Sequence, residues 1–352
     1  MRVVLPDAAP QMVSPRDRVD SAKVIALVAF FAAAVRLLMI WLLPPLVDVY
    51  YYDSQAVRAL LLGSNPYGHL YTGIPSWLAT PGAQRVFAYF PGVVLFLAPF
   101  GAFGDVRPGL VVADLVIAWS LYSLGGRRSA AAAAFFLLAP WGFLFSTSYP
   151  DNSLVAMAFV GLAFLWESKG KTCASGFALG VSLASSQLAW LVYPFFLLSS
   201  LKERWFREVL ISLATVFLLV LPFLAWDSGT FFYDTISFQF VRPAQSIVTS
   251  EPFGLNFNPT LSGVTHTLLG ISAPLPLRVG VAIILLTFFL YSSRDIRGLA
   301  LNASLFLLAA IFILPSDFSW WYFEFPFQTL LTWFVLSHDG ASRVRAQESA
   351  NA

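Results

Sequence analysis

Residues 22–53 read AKVIALVAFFAAAVRLLMIWLLPPLVDVYYYD: an apolar run from Ala22 to about Leu46, closed by two prolines and followed at once by Asp48 and Asp53. An apolar stretch of that length crosses the hydrocarbon core of a bilayer as a helix. The polar residues before it carry Arg2, Arg16, Arg18 and Lys23 but no small-residue cleavage pattern, so the run reads as an uncleaved anchor and not as a signal peptide. The two carboxylates at its far end stand out, because charged residues make up only 11% of the 352 while the AVILMFWYC class makes up 58%. That balance would leave a soluble domain without a polar coat, and the chain is read as a polytopic, all-α membrane protein. Abundant phenylalanine (34) and tryptophan (11) suit lipid-facing and interfacial surfaces. A net charge of +2 gives no reason to invoke nucleic acid, and the single Cys173 excludes an internal disulfide and a cysteine-cluster metal site.

Further apolar segments follow at about 87–103, 108–124, 129–147, 152–166, 174–199, 208–226, 276–291, 299–315 and 320–337, which predicts a bundle of about 8–11 crossings. Arg127 and Arg128, Lys169 and Lys171, Lys202, Arg204 and Arg207, Arg294 and Arg297, then Arg343 and Arg345 mark the short loops expected on the cytoplasmic side, together with both termini. The expected organisation is a cytoplasmic segment 1–21, a single transmembrane domain 22–337 and a disordered cytoplasmic tail 338–352. The opposite face receives a first outer loop 47–87, the tip around Asp151, a second long loop 227–259 and the tip from Ser316 to Tyr322. Two segments disturb this alternation. One of 87–103 and 108–124 must be short or re-entrant to keep Arg127 inside. The run 174–199 lies between two basic clusters and is too short for two full spans, so two half-helices meeting near Ser185-Ser186-Gln187 are expected, with Gln187 directed at a polar cavity.

In the first outer loop, Tyr52, Ala56, Ala59 and Leu60 recur at helical spacing and Gly63 stands where a helix stops, so 54–62 is predicted to be a short amphipathic helix. Asp53 would then either cap that helix or take part in chemistry. Asp48 has no capping role, and an aspartate at the mouth of a span is costly unless solvated or used. Arg36 and Asp114 lie inside predicted spans and are read as pairing or hydrogen-bonding groups rather than as ligands. No His/Asp/Glu cluster has metal-ligand spacing; no cofactor is expected, and nothing in the sequence supports a divalent cation between Asp48 and Asp53.

The order of these elements resembles the GT-C glycosyltransferases, membrane enzymes that take sugar from a polyprenyl-phosphate carrier on the extracytoplasmic or lumenal side. Asp48, then Tyr52, Ala56 and Leu60, then Gly63-Ser64-Asn65-Pro66-Tyr67, then Tyr89-Phe90-Pro91 look like the family's Asp, Tyr, Gly, Pro-Tyr and Tyr-Pro-Pro pattern. Ser146-Thr147-Ser148-Tyr149-Pro150-Asp151-Asn152-Ser153 resembles the segment that brings a second acid to the active face, and Phe238-Gln239-Phe240-Val241-Arg242 the aromatic-x-x-x-Arg element of the later outer loop. Ser316-Asp317-Phe318-Ser319-Trp320-Trp321-Tyr322 with Pro326 is similar to a segment of the first mannosyltransferase of glycosylphosphatidylinositol assembly and of bacterial polyprenyl-phosphate-dependent mannosyltransferases. The chain departs from the family in two places: Ser185-Ser186-Gln187 stands where many relatives carry a lysine, and Tyr-Pro-Pro is reduced to Phe90-Pro91-Gly92.

The resemblance implies a GT-C-type helical bundle whose extracytoplasmic loops cap an active-site cavity. It implies transfer of a hexose, with mannose the first choice, from a polyprenyl-phosphate-linked donor to a lipid or glycan acceptor. An acceptor hydroxyl needs a carboxylate to take its proton, whereas a phosphate leaves as a stable anion and needs only cations and hydrogen-bond donors. By that logic Asp48 is the expected general base, with Asp53 and Asp151 orienting hydroxyls or the base. Arg242 is the expected donor-phosphate ligand, with His69, Arg85 and Gln187 as further phosphate ligands, and Tyr89, Tyr322 and Glu324 complete the expected substrate contacts. The competing readings are a transporter or flippase, which would place broken helices and charges near the bilayer midplane in related repeats, and an inactive scaffold of the same fold. No internal repeat is evident, and most uncompensated polar residues gather in outer loops.

Overall fold

The computed structural model describes residues 15–75, 86–125, 127–199, 205–238, 260–292, 296–314 and 323–350. Among them are fifteen α-helices, one short π-helix and no strand. Three helices are long and apolar enough to cross a bilayer: α1 (Pro15–Leu42), α10 (Trp205–Trp226) and α13 (Leu275–Ser292). Their surfaces face outward, with Phe30, Trp41, Leu218 and Ile284 exposed by 74, 81, 68 and 70%. Apolar side chains displayed on that scale belong in lipid.

Inside this shell lies α7 (Ser153–Ser168), whose residues are almost all buried from Ser153 to Leu165. A helix apolar on every side belongs at the centre of a bundle. It packs against α4 (Arg107–Ser123) and α8 (Thr172–Leu183) and meets α15 (Glu324–Ala350), which in turn packs on α14 (Ile296–Ile313). Between α8 and α10 the backbones close on small residues: a Cβ at Gly180 would lie 2.5 Å from the Ser212 carbonyl oxygen, and one at Gly176 2.7 Å from that of Glu208. Without a hydrophobic force between helices in lipid, such close contact is what holds them.

The ion pair that secures α1 is buried. Arg36 Nε lies 3.1 Å from Asp114 Oδ2 of α4, and Arg36 also donates to Ser146 Oγ and to the carbonyls of Ala32 and Leu137. Leu137 lies in the last turn of α5 (Arg127–Leu138), which bends by 56° into α6 (Pro140–Ser146). Proline at 140 has no N–H to continue the ladder, and the arginine supplies a donor at the break.

The expected break in 174–199 is present: α8 stops at Leu183 and α9 (Gln187–Ser199) starts after Ala184-Ser185-Ser186. Its Ala184 carbonyl accepts from Gly92 N–H at 2.6 Å, at the start of α3 (Pro91–Gly101). A Cβ at Gly92 would stand 2.3 Å from Ser185 Oγ and 2.6 Å from the Ala184 oxygen, so only glycine fits where the two backbones touch. With 11 residues, α3 is roughly 16 Å long, about half a hydrocarbon core. It is therefore the shorter of the two segments, 87–103 and 108–124, one of which the charge pattern expects to be short or re-entrant.

Two boundaries differ from the sequence reading. The first outer helix, α2, runs Asp48–Leu61 and not 54–62. The aromatic stretch Val49-Tyr50-Tyr51-Tyr52 continues it upstream because Val49 is buried and Arg107 stacks over Tyr50 at 5.2 Å. At the other end α15 continues to Ala350, where the sequence suggests a disordered tail; Ala, Arg, Gln and Glu in that stretch are good helix formers.

Candidate functional site

The revised start of α2 changes the role of Asp53. It cannot cap a helix it lies within; it is 1% exposed on the inner face of α2. Its Oδ1 accepts from Asn152 Nδ2 at 3.0 Å, across 99 residues of sequence, while its buried Oδ2 has no hydrogen-bond partner among the described residues. Asp48 occupies the first turn of α2, partly exposed, where the helix dipole suits a carboxylate.

Asp151 precedes α7 and does the capping that Asn152, the nominal cap, does not: its Oδ1 accepts from Ser153 N–H at 2.9 Å and its Oδ2 from Ser153 Oγ at 2.6 Å. The Asn152 amide is thereby left for Asp53. Two further contacts bring the segments together. Leu46 N–H donates to the Ser148 carbonyl at 2.6 Å. Arg107, salt-bridged to Asp105 at 2.7 Å, donates to the carbonyls of Ile40, Leu43 and Thr147. This clamp was missed in the sequence; a basic residue immediately before Pro108 at the mouth of a span was its signal.

The electrostatics follow from burial. Desolvation raises Asp53 well above the ordinary carboxylate range; the Asn152 hydrogen bond works against this, and the charges of Asp151 and Asp48 add to it. Desolvation likewise raises Asp151 to about 6, against the lowering effect of its two Ser153 hydrogen bonds. Glu324, 4% exposed at the start of α15, lies within electrostatic range of Asp151, Asp114 and Arg36, and its Oε2 has no hydrogen-bond partner among the described residues. The site therefore holds Asp48, Asp53, Asp151 and Glu324 at one end of the bundle, while Lys169 and Lys171 lie beyond the other end of α7.

Beside this cluster the two outer loops meet. Gly68, His69, Leu70 and Val86 from the first, with Gly229, Thr230, Tyr233 and Asp234 from the second, line an open cavity of about 290 Å³. The second loop enters it through α11 (Ser228–Phe232) and a π-helix, Tyr233–Ser237. Asp234 Oδ2 accepts from Gly68 N–H at 2.8 Å; burial raises its pKa, while that bond and the nearby His69 pull it down. Gly68 has φ +79 and a Cβ there would lie 2.9 Å from Thr230, so both its conformation and the approach of the loops require glycine. Asp234 was overlooked in the sequence, where a lone acid in a loop gives no signal of its partner.

The remaining expected ligands divide. His69 lines the cavity and is exposed. Gln187 spends its amide donor on the carbonyls of Ala88 (2.9 Å) and Thr235 (3.2 Å), tying both outer loops to the α8–α9 break. Tyr89 packs on Phe87 and its carbonyl accepts from the Tyr67 hydroxyl at 2.9 Å. Arg85, Arg242 and Tyr322 lie outside the described residues. No group of three or more His, Cys, Asp or Glu among the described residues is arranged to hold a metal ion.

The described residues form an all-helical bundle with broken helices and two long loops meeting at one end. Its fold is similar to that of the crystal structure of ArnT from Cupriavidus metallidurans bound to undecaprenyl phosphate, with a TM-score of 0.53, 14% identity and 90% of this chain covered. The chain spans 60% of the length of that structure, and at such identity the likeness speaks for the fold. No family model and no curated protein matches the sequence.

Proposed function

We propose that the protein is a glycosyltransferase that moves a hexose, mannose by preference, from a polyprenyl-phosphate carrier to a lipid or glycan acceptor at the extracytoplasmic face. The observation that carries this reading is the meeting of Asp48, Asp53 and Asp151, brought from two segments about a hundred residues apart to one end of the bundle. Buried carboxylates are costly, and a protein that keeps Asp53 and Asp151 buried together, with Asp48 partly exposed beside them in the same charge field, has a use for them. The solved structure with this fold holds undecaprenyl phosphate, which supports a carrier of that class.

In this mechanism Asp48, partly exposed at the rim, takes the proton of the acceptor hydroxyl as that oxygen attacks the anomeric carbon. Asp53 and Asp151 hold the acceptor's other hydroxyls, and Arg242 with His69 receives the departing phosphate. A transport reading has less to draw on, since both helix breaks are closed by the protein's own groups: Leu137 by Arg36 and Ala184 by Gly92. Broken helices that serve transport leave such groups to their cargo. The test is transfer by purified protein in nanodiscs from radiolabelled polyprenyl-phosphate-mannose and -glucose to a lipid extract of its host. Transfer lost in a folded Asp48→Asn variant supports the proposal; no transfer from either donor refutes it.

A further inference from the structure

At the same end of the molecule, one buried cation has no carboxylate paired with it among the described residues. Arg278 lies in the first turn of α13 and is 9% exposed. Its Nη1 donates to the carbonyl of Leu314 at 2.6 Å, its buried Nε has no hydrogen-bond partner, and no carboxylate pairs with it among the described residues. The other two arginines buried to this degree, Arg36 and Arg107, each have an aspartate and several carbonyls. With one carbonyl for a partner, most of the donors of the Arg278 guanidinium are left without an acceptor, and an anion beside it would supply several.

The chain path places Arg278 on the active face. Leu314 follows the end of α14 at Ile313, and Glu324, ten residues further along, opens α15 within electrostatic range of Asp151. The opposite end of the α13–α14 pair carries Arg297. Around Arg278 the surface is apolar: Leu268, Leu269 and Ile271 before it, Ile283, Ile284 and Phe288 along the outer side of α13, all more than half exposed. A cation set at the head of a lipid-facing apolar helix matches a molecule with a phosphate at the membrane surface and a hydrocarbon chain below it.

We infer that Arg278 anchors the phosphate of a lipid whose chain lies along α13. The phosphate site stands on the geometry alone; the choice of a polyprenyl chain for that lipid rests on the transferase reading. Guanidinium, planar and carrying several donors, fits a phosphate better than an ammonium does, and the unpartnered Nε is available for it.

The experiment is equilibrium binding to full-length, delipidated protein in neutral detergent, with undecaprenyl phosphate, undecaprenol, phosphatidylglycerol and inorganic phosphate as separate probes. Arg278→Gln should weaken undecaprenyl phosphate by about 10-fold or more, Arg278→Lys less, and neither should alter undecaprenol. Without lipid, Arg278→Gln should melt no lower than wild type, because an uncompensated charge has been removed. Equal loss of phosphatidylglycerol affinity would assign the site to a bulk phospholipid and overturn the carrier assignment, and inorganic phosphate binding as tightly as the lipids would overturn the role of the chain. Unchanged affinity for every phosphate in Arg278→Gln, or a lower melting temperature without lipid in both variants, would overturn the site itself. Binding is read apart from transfer, so phosphate binding that depends on Arg278 in a protein without transferase activity refutes the proposed function and keeps this one.

Discussion

Replacing Asp151 by asparagine should stabilise the protein at neutral pH while impairing transfer. Burial moves this carboxyl from its ordinary 3.8 to about 6, which at about 1.4 kcal/mol per pH unit amounts to roughly 3 kcal/mol of disfavoured ionisation. Because the folded-state pKa is the higher one, the native state holds the proton more tightly. Its contribution is complete below about pH 4 and is lost as pH rises through about 6. Asparagine has no charge to bury. Its oxygen can still accept from Ser153 N–H and its amide can donate to Ser153 Oγ, so the hydrogen bonding given up is at most about 1 kcal/mol. Asp151→Asn should therefore exceed wild type by about 2 kcal/mol at pH 8 and match it within about 1 kcal/mol at pH 4. Reversible unfolding in neutral detergent, followed by tryptophan fluorescence from pH 4 to 8, gives both numbers, and a transfer assay gives the functional loss. A variant less stable than wild type at pH 8, with an unchanged pH slope, would refute the reasoning.

Asp48→Asn should abolish transfer while costing no more than about 1 kcal/mol of stability, the share of a partly exposed carboxylate in the first turn of α2; a folded variant with normal turnover would remove Asp48 as the base. Arg242→Ala should raise the KM for donor more than it lowers kcat, checked by steady-state kinetics with a polyprenyl-phosphate sugar. Gly92→Val should cost about 1–3 kcal/mol and reduce transfer, because its Cβ would meet Ser185 and Ala184 and lift the loop that Gln187 ties down. Arg36→Leu leaves Asp114 buried and unpaired and should cost about 3–5 kcal/mol, largely recovered in the double variant with Asp114→Leu, as a thermal-unfolding cycle would reveal.

The aspartates illustrate how a site of this kind is divided between sequence and structure. Asp48 stands out in the sequence because a carboxylate at the end of an apolar span is rare and costly whatever surrounds it, whereas Asp151 enters only through the resemblance of its segment to a known family. Asp53 was ambiguous for a local reason: moving the start of one helix by six residues, from Ser54 to Asp48, turns a cap into a buried acid. Asp234, Arg107 and Arg278 could not be assigned from sequence, because their significance lies in what they meet or lack, and those neighbours are distant in the chain.

By itself the sequence determined that this is a helical membrane protein, where its long apolar helices run, and that the run 174–199 breaks at Ser185-Ser186. Those properties follow from hydropathy, segment length and the residues that interrupt a helix, all of which act locally. Only the tertiary structure decided which acids share a site, that Gln187 serves to join loops, and that Arg36 and Arg107 are satisfied while Arg278 is not. Charge compensation and desolvation are sums over everything a side chain touches, and a side chain's neighbours are set by the packing of the whole bundle.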